Sequence, residues 1–240
     1  MAIESTSSDY QTDRLAEIEV ATNYREWLRA LTEPHLGKRL LEVGAGSGYM
    51  TECFTDRELL VALEPYPHYA PLLKQRFAGK PVEVLQADIT DPTVRARLQS
   101  KRLDSAISYN VFEHIPDDSA AFANVYGVLE PGGRFVCFVP AFPSIYGAMD
   151  EELGHQRRYT RRELAGKARA AGFQVLSLRC VNLPGFFAWA VNARLLRRRE
   201  YPGGTHAVGF WDRVVIPIAR SVEERVTLPV GQSLLLVAQR

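Results

Sequence analysis

Residues 40–48, Leu-Leu-Glu-Val-Gly-Ala-Gly-Ser-Gly, join an apolar run to three glycines at alternate positions. The run Arg39-Leu40-Leu41-Glu42-Val43 reads as a buried strand, and the polar and aromatic residues after the loop predict the start of a helix. Glycine takes positive φ and lets a ligand come close to backbone. The crevice beyond a strand's carboxyl end is where doubly wound sheets hold their ligands. Gly44, Gly46 and Gly48, with Ala45 between them, spell G-x-G-x-G. A dinucleotide fingerprint needs Gly or Ala at position 49, and Tyr49 stands there. Glu42, two residues before the loop, would repel a diphosphate and suits a cationic amino-acid group. A sulfonium nucleoside with an α-ammonium and no phosphate, S-adenosylmethionine (SAM), fits this pattern. A plain glycine-rich turn is the competing reading of the loop taken alone.

Three further strand ends carry matching chemistry. The apolar run 58–63 ends in Glu64-Pro65, where a carboxylate suits a bidentate hydrogen bond to ribose hydroxyls. Residues 82–85 lead into Asp88-Ile89: Asp88 is placed to accept from an adenine amino group and Ile89 to pack on the ring. Residues 103–108 lead into Asn110-Val111-Phe112-Glu113-His114-Ile115. Glycine loop, ribose acid, adenine acid and a polar–aromatic fourth strand end fall in order along the chain. Each is weak alone, and the set is specific.

At this point the chain resembles the class I SAM-dependent methyltransferases, from about Asn23 to the C-terminus. The resemblance rests on Leu-Glu-Val-Gly-Ala-Gly-Ser-Gly, on Asn110-Val111-Phe112-Glu113-His114-Ile115-Pro116-Asp117-Asp118, and on Leu129-Glu130-Pro131-Gly132-Gly133-Arg134. Val139-Pro140-Ala141-Phe142 to Tyr146-Gly147 and Gly154-His155-Gln156-Arg157-Arg158-Tyr159-Thr160 look like a narrower bacterial subgroup that often accompanies glycosyltransferases in envelope polysaccharide pathways. The resemblance implies a Rossmann-like α/β fold with a seven-stranded sheet whose last strand lies antiparallel beside the fifth. It also implies SAM as cofactor, with Asn110 and Val111 beside it, and an N-terminal helix over the site. In that helix Tyr24 would close over the methionine part of SAM, since aromatic faces attract cations. Trp27 is grouped with it as a substrate contact, and ordinary helix packing is the alternative for both.

Methyl transfer from a sulfonium is an in-line displacement, so the protein mainly positions the reactants. A hydroxyl or amine acceptor also loses a proton, and histidine suits that task near neutral pH. Two histidines compete for it. His114 ends the fourth strand; His155 lies in the loop after the fifth. For His114 the alternative is ordering the loop into Pro116-Asp117-Asp118. For His155 it is substrate contact, with Arg158 and Tyr159 as neighbouring candidates. Arg157 and Arg158 suit a carboxylate or phosphate on the acceptor, or else form a solvated charge pair. His35, His68 and His206 read as surface residues. No metal is expected, because the chain shows no converging His/Asp set.

The elements that must position these residues follow from periodicity. Residues 1–9 look frayed, and 10–36 form a helical cap with Leu15, Ile18, Tyr24, Trp27, Leu28 and Leu31 at helical spacing. Residues 37–181 form the cofactor-binding core. Thr160 with Glu163 is a capping box, and Gly172 closes the helix that it starts. Residues 182–230 predict a lid inserted before the last strand, 231–240. Its two apolar, basic-ended segments read as packing on the sheet edge, as a membrane-surface or lipid-linked-substrate contact, or as a dimer face. The 240 residues fit one domain. A net charge of +1 gives no pull toward nucleic acid. Cys53, Cys137 and Cys180 lack metal-like spacing and read as core residues in a reducing cytoplasm. The N-terminus lacks the basic start and apolar core of a signal peptide. The expected partner is a small polar or saccharide acceptor, and the expected state a monomer or homodimer.

Overall fold

The computed structural model describes residues 20–199 and 204–240, except for the side chains of 204–206. The expectations for residues 1–19 and His206 lie outside them. Seven strands form one sheet: β1 (Arg39–Val43), β2 (Leu59–Glu64), β3 (Val82–Gln86), β4 (Leu103–Tyr109), β5 (Leu129–Pro140), β6 (Gln174–Val181) and β7 (Ser233–Gln239). Their order is β3-β2-β1-β4-β5-β7-β6. Strands β1 to β5 pair in parallel, and β7 runs antiparallel between β5 and β6. The order turns back between β1 and β4, so their carboxyl ends flank the crevice in which such sheets bind ligands.

Side-chain alternation along the strands sorts the core into two faces. Leu41, Val61, Ala106 and Phe135 face one way, with Phe112 and Phe122. Leu40, Leu60, Ile107 and Val136 face the other, with Trp27, Leu28 and Phe54. Helices α1 (Thr22–Thr32), α2 (Tyr69–Arg76), α3 (Val94–Gln99), α4 (Asp118–Val128), α5 (Ala148–Glu152) and α6 (Arg161–Ala170) cover these faces. Asp117 caps α4 by accepting from the Ala120 N–H at 3.0 Å. Thr160 and Glu163 form the predicted capping box of α6, and Gly172 ends that segment at φ 106°.

The helix expected after the glycine loop is instead a four-residue 3-10 turn, Thr51–Phe54. The loop uses the first residues of the connection, and the rest must run back along the sheet before β2. A 3-10 turn rises ~2.0 Å per residue against ~1.5 Å for an α-helix, so it covers that distance with fewer residues. Strand β5 starts at Leu129, which pairs with Leu103 ahead of a register shift.

Between β6 and β7 lie α7 (Leu183–Val191), which runs on as a π-helical turn Asn192–Leu196, then α8 (Gly204–Phe210), a second π-helical turn Trp211–Val215, and α9 (Ile216–Glu223). Ile216 and Ala219 pack with Trp27 and Leu28. The buried Asp212 accepts from the backbone N–H groups of Asn23 (3.0 Å) and Tyr24 (2.8 Å). A carboxylate at a helix N-terminus satisfies orphan donors and suits the helix dipole. This insertion therefore fastens the start of α1.

Candidate active site

The glycine loop leaves β1 with Gly44, Gly46 and Gly48 at φ 76°, 53° and 88°. These conformations, and the closeness of neighbours, require glycine. A Cβ on Gly44 would lie 2.4 Å from Val111 Cγ2, and one on Gly48 2.6 Å from Phe77 Cε2. Ala45 packs with Ala62, Tyr69, Leu73 and Phe77. Glu64, at the end of β2, accepts from the Gly46 N–H at 2.8 Å and the Tyr66 N–H at 3.0 Å. Burial pushes its carboxyl up despite those two donors. Glu64 thus ties the second strand end to the loop, while Pro65 beside it is exposed.

Glu42 is buried, its Oε2 has no hydrogen-bond partner, and burial pushes its carboxyl up to about 8. An orphaned carboxylate oxygen two residues before the loop is a ready acceptor for a cationic group. Asn110 follows β4 at φ 51°, its N–H donating to the Phe138 carbonyl at 2.8 Å. Val111 next to it lies against Gly44. The half-buried Tyr109 shares a 2.7 Å hydrogen bond with Thr32, a link between α1 and β4 that sequence spacing does not reveal.

Asp88 is exposed at the carboxyl end of β3, with Oδ1 held by the Thr90 N–H and hydroxyl, both at 2.8 Å. Ile89 differs from expectation. Its side chain belongs to the core face of Leu41, Val94 and Phe122, so it is not free to cover an adenine ring. Tyr24 is half-buried and meets Trp27 edge to face at 6.2 Å. Trp27 is corrected from substrate contact to core. It is 0% exposed among Leu28, Leu40 and Phe54, which leaves no surface for an acceptor.

The loop after β5 holds the largest departure. Asp150, fully buried in α5, accepts from His155 Nδ1 (2.8 Å), Arg158 Nε (2.8 Å), Trp189 Nε1 (2.9 Å) and the Gly147 N–H (3.0 Å). Burial opposes ionisation, but these partners hold its carboxyl below the usual range. Arg158 is buried, donates also to the Ala141 carbonyl at 3.1 Å, and lies 4.5 Å over the Trp189 ring. Tyr159 is buried and donates to Asp118 Oδ2 at 2.6 Å. Arg157 pairs with the same Asp118 at 2.9 Å. All three were candidates for the acceptor. The structure makes Arg158 and Tyr159 internal supports and gives Arg157 an internal partner, because the buried Asp150 and Asp118 need compensating donors. Asp150 itself escapes a sequence reading, since Asp150-Glu151-Glu152 looks like any solvated acidic run.

His155 and His114 do come together, their rings 4.9 Å apart. His114 Nδ1 is 3.2 Å from the Gly154 carbonyl. Burial, with His155 alongside, pulls the His114 ring down to about 4. Glu113 is fully buried between them and the core, neither of its carboxylate oxygens has a partner, and burial raises it to about 8. One ligand-capable atom from each of Glu113, His114 and His155 lies within 4.8 Å of the others. The converging set that the linear sequence does not show is therefore formed by folding. His35 and His68, read as surface residues, are half-buried, and the His68 ring lies 4.0 Å from that of Tyr69. All three cysteines are free, with Cys137 and Cys180 buried.

Residues 41–137 match the family model described as a methyltransferase domain. An uncharacterized methyltransferase of Mycobacterium bovis is 28% identical over 130 residues, 54% of this chain and 50% of that protein. The chain thus spans about half the length of the curated relatives it matches. Among solved structures, a chain of the complex between a Haloferax volcanii methyltransferase activator and a methyltransferase gives a TM-score of 0.66 at 16% identity, covering 100% of this chain and 99% of that one. A SAM-dependent methyltransferase from Mesorhizobium loti gives 0.58 at 16% identity, covering 89% and 95%. At such identities the structural likeness concerns the fold. Residues 41–137 thus carry a methyltransferase domain, which uses SAM as cofactor, and the strand order and glycine loop agree with that match.

The residues present suit that cofactor. Glu42 Oε2 is an unpaired buried acceptor, and the loop is a cradle that side chains would fill. Two predictions follow from this geometry. Gly44→Ala is expected to weaken SAM binding ~10–100-fold, because a left-handed alanine costs roughly 1–2 kcal/mol and its Cβ displaces Val111. Gly79→Ala is the control: φ is +79° with nothing within 4 Å of an added Cβ, so it carries the strain alone. Equal SAM affinity in the two variants, by calorimetric titration, would refute the cradle. SAM affinity should also rise from pH 6 to 7.5. Glu42 is mostly protonated there, and a cationic ligand favours its ionised form, so the proton released on binding becomes cheaper as pH approaches about 8. Glu42→Gln should flatten that slope, and an unchanged slope would separate Glu42 from the cofactor.

Proposed function

We propose that the protein transfers the methyl group of SAM to a hydroxyl, in preference to an amine, of a small or medium-sized polar acceptor such as a saccharide. The observation that carries this reading is the meeting of His114, on the turn after Val111, with His155, on the loop after β5, the two held by Gly154 and Asp150. Bound SAM supplies an already activated methyl carbon. Glu42 would take its ammonium, Glu64 its ribose hydroxyls, and Asp88 its adenine amino group. The Asp150 carboxylate can only accept, so it holds a hydrogen on His155 Nδ1, and the neutral ring then offers Nε2 as a lone pair. That is the state needed to act on an acceptor's proton. The preference for oxygen and for saccharides rests on the resemblance to the polysaccharide-linked subgroup.

The test is product analysis with a panel of sugars, lipid-linked sugars and amines. S-adenosylhomocysteine formed in step with acceptor is the expected result. Methylthioadenosine would overturn methyl transfer in favour of aminocarboxypropyl chemistry or cyclisation. Binding of SAM without turnover of any acceptor would favour a partner-subunit role.

The insertion between β6 and β7 bears on how the acceptor arrives. Among the described residues, nine of the thirteen exposed large hydrophobics lie between Phe187 and Val226. Exposed arginines 194, 197, 198, 199, 213 and 225 are interleaved with them. No described helix is long and apolar enough to cross a membrane. Apolar side chains edged by arginine suit an anionic membrane surface, and with it a lipid-linked acceptor. Co-sedimentation with phosphatidylglycerol vesicles, weakened by salt, is the expected behaviour. Equal partitioning onto neutral vesicles, or none, would contradict it.

A further inference from the structure

We propose that Glu113, His114 and His155 bind a divalent transition-metal ion that holds the acceptor's hydroxyl. The role in catalysis rests on the methyl-transfer reading above; the site itself does not.

The argument starts from what is unsatisfied. Glu113 is 0% exposed, and neither carboxylate oxygen has a donor. Buried carboxylates in folded proteins are paired or coordinate metals, because an unpaired one forfeits its hydration. Its neighbours do not help. His155 Nδ1 is 2.8 Å from Asp150 Oδ1, and His114 Nδ1 is 3.2 Å from the Gly154 carbonyl oxygen. Both partners accept only, so each neutral ring keeps its hydrogen on Nδ1 and offers Nε2 as a lone pair. His155 Nε2 stands 3.8 Å from Glu113 Oε1, too far for a shared proton to make a normal hydrogen bond. Two imidazole lone pairs and a buried carboxyl without a hydrogen-bond partner thus converge. A cation satisfies that arrangement.

The remaining geometry agrees. The three ligand-capable atoms lie within 4.8 Å of one another. A tetrahedral ion with bonds of ~2.0–2.2 Å holds its ligands roughly 3.4 Å apart, so small side-chain rotations close the gap. Metal-bound histidines characteristically donate their other N–H to a carboxylate or carbonyl, which fixes tautomer and ring orientation. Asp150 and Gly154 stand in those two positions, and Arg158 and Trp189 in turn hold Asp150. Two imidazoles with one carboxylate suit zinc, iron, cobalt or nickel better than magnesium or calcium, which prefer oxygen ligands throughout. Three protein ligands leave a coordination position open, the arrangement of catalytic sites. The acceptor's oxygen fits there, and a metal-bound hydroxyl loses its proton more readily. The balance is then complete. The O–H proton leaves to water, the oxygen's electron pair forms the bond to the methyl carbon, and the pair of the broken carbon–sulfur bond stays on sulfur.

The test uses the full chain, stripped with chelator and titrated with Zn²⁺ and with Co²⁺. One equivalent of each should bind, and Co²⁺ should give the visible absorption of a nitrogen–oxygen site. Glu113→Gln keeps the shape of the side chain. It should weaken Zn²⁺ binding at least tenfold while thermal unfolding stays cooperative, and His114→Ala should do likewise. Absence of stoichiometric Zn²⁺ and Co²⁺ binding, or unchanged affinity in Glu113→Gln, would overturn the site. Stoichiometric metal without S-adenosylhomocysteine formation would uphold the site and sink the methyl-transfer reading. Full turnover by the stripped protein would remove the metal from catalysis and leave His155 to act alone.

Discussion

His155→Ala lowers turnover by ~10²–10⁴-fold, the usual worth of a positioned proton-transfer group, while SAM affinity changes by less than about threefold. The asymmetry follows from placement. His155 sits on the loop after β5, against His114 and Glu113. The groups we propose for SAM, Glu42, Glu64 and Asp88, lie at or just beyond the ends of β1, β2 and β3. Loss of the imidazole removes the acceptor's partner and leaves the cofactor's cradle intact. The measurement pairs steady-state kinetics with calorimetric SAM titration. Equal loss of turnover and of SAM affinity would contradict an acceptor-side role. His155→Gln keeps a polar side chain but has no ring nitrogen to take up a proton or hold a metal ion, so it should resemble the alanine variant in turnover.

Asp150→Ala is expected to destabilise the fold by about 3–5 kcal/mol, the cost of breaking a buried ion pair by removing one partner. Arg158, with 1% of its side chain exposed, would then keep a charge with no carboxylate beside it. Trp189 Nε1 and the Gly147 N–H would lose their acceptor. For a chain of this size the fall in melting temperature is roughly 6–20 °C. A second readout separates support from stability. Asp150→Asn retains one acceptor oxygen and lowers stability less, yet it no longer fixes the His155 tautomer. Its kcat should therefore fall further than its KM rises. Wild-type stability in Asp150→Ala would mean that the four contacts around this carboxylate contribute little.

Much of this architecture is legible in local sequence. Apolar runs mark the first four strands to within a residue or two, since a buried strand has little choice of composition. Gly44, Gly46 and Gly48 announce the loop because positive φ at closely packed positions leaves almost no other residue. Glu42 and Glu64 are placed by counting from strand ends, which a parallel sheet aligns at one edge.

Other assignments turn on burial and on neighbours distant in sequence. Arg158, Tyr159 and Trp27 have the chemistry of ligand contacts, and the structure encloses all three. Residue type alone does not say whether a guanidinium meets a substrate or a buried aspartate eight residues away. Asp150 and Glu151 differ by one methylene and one position, yet only Asp150 faces inward, because α5 turns that side toward Trp189 and His155. Glu113 and His155 are separated by the whole of α4 and β5 and meet because those elements return the chain to the same sheet edge. By itself, the sequence determined the sheet, the glycine loop and the family of cofactor, each encoded in contiguous patterns that local sterics and alternation enforce. Only the tertiary structure decided which charged and aromatic side chains support one another in the interior and which three donors converge at the sheet edge. Those outcomes depend on solvent exclusion and on contacts between segments that no local pattern records.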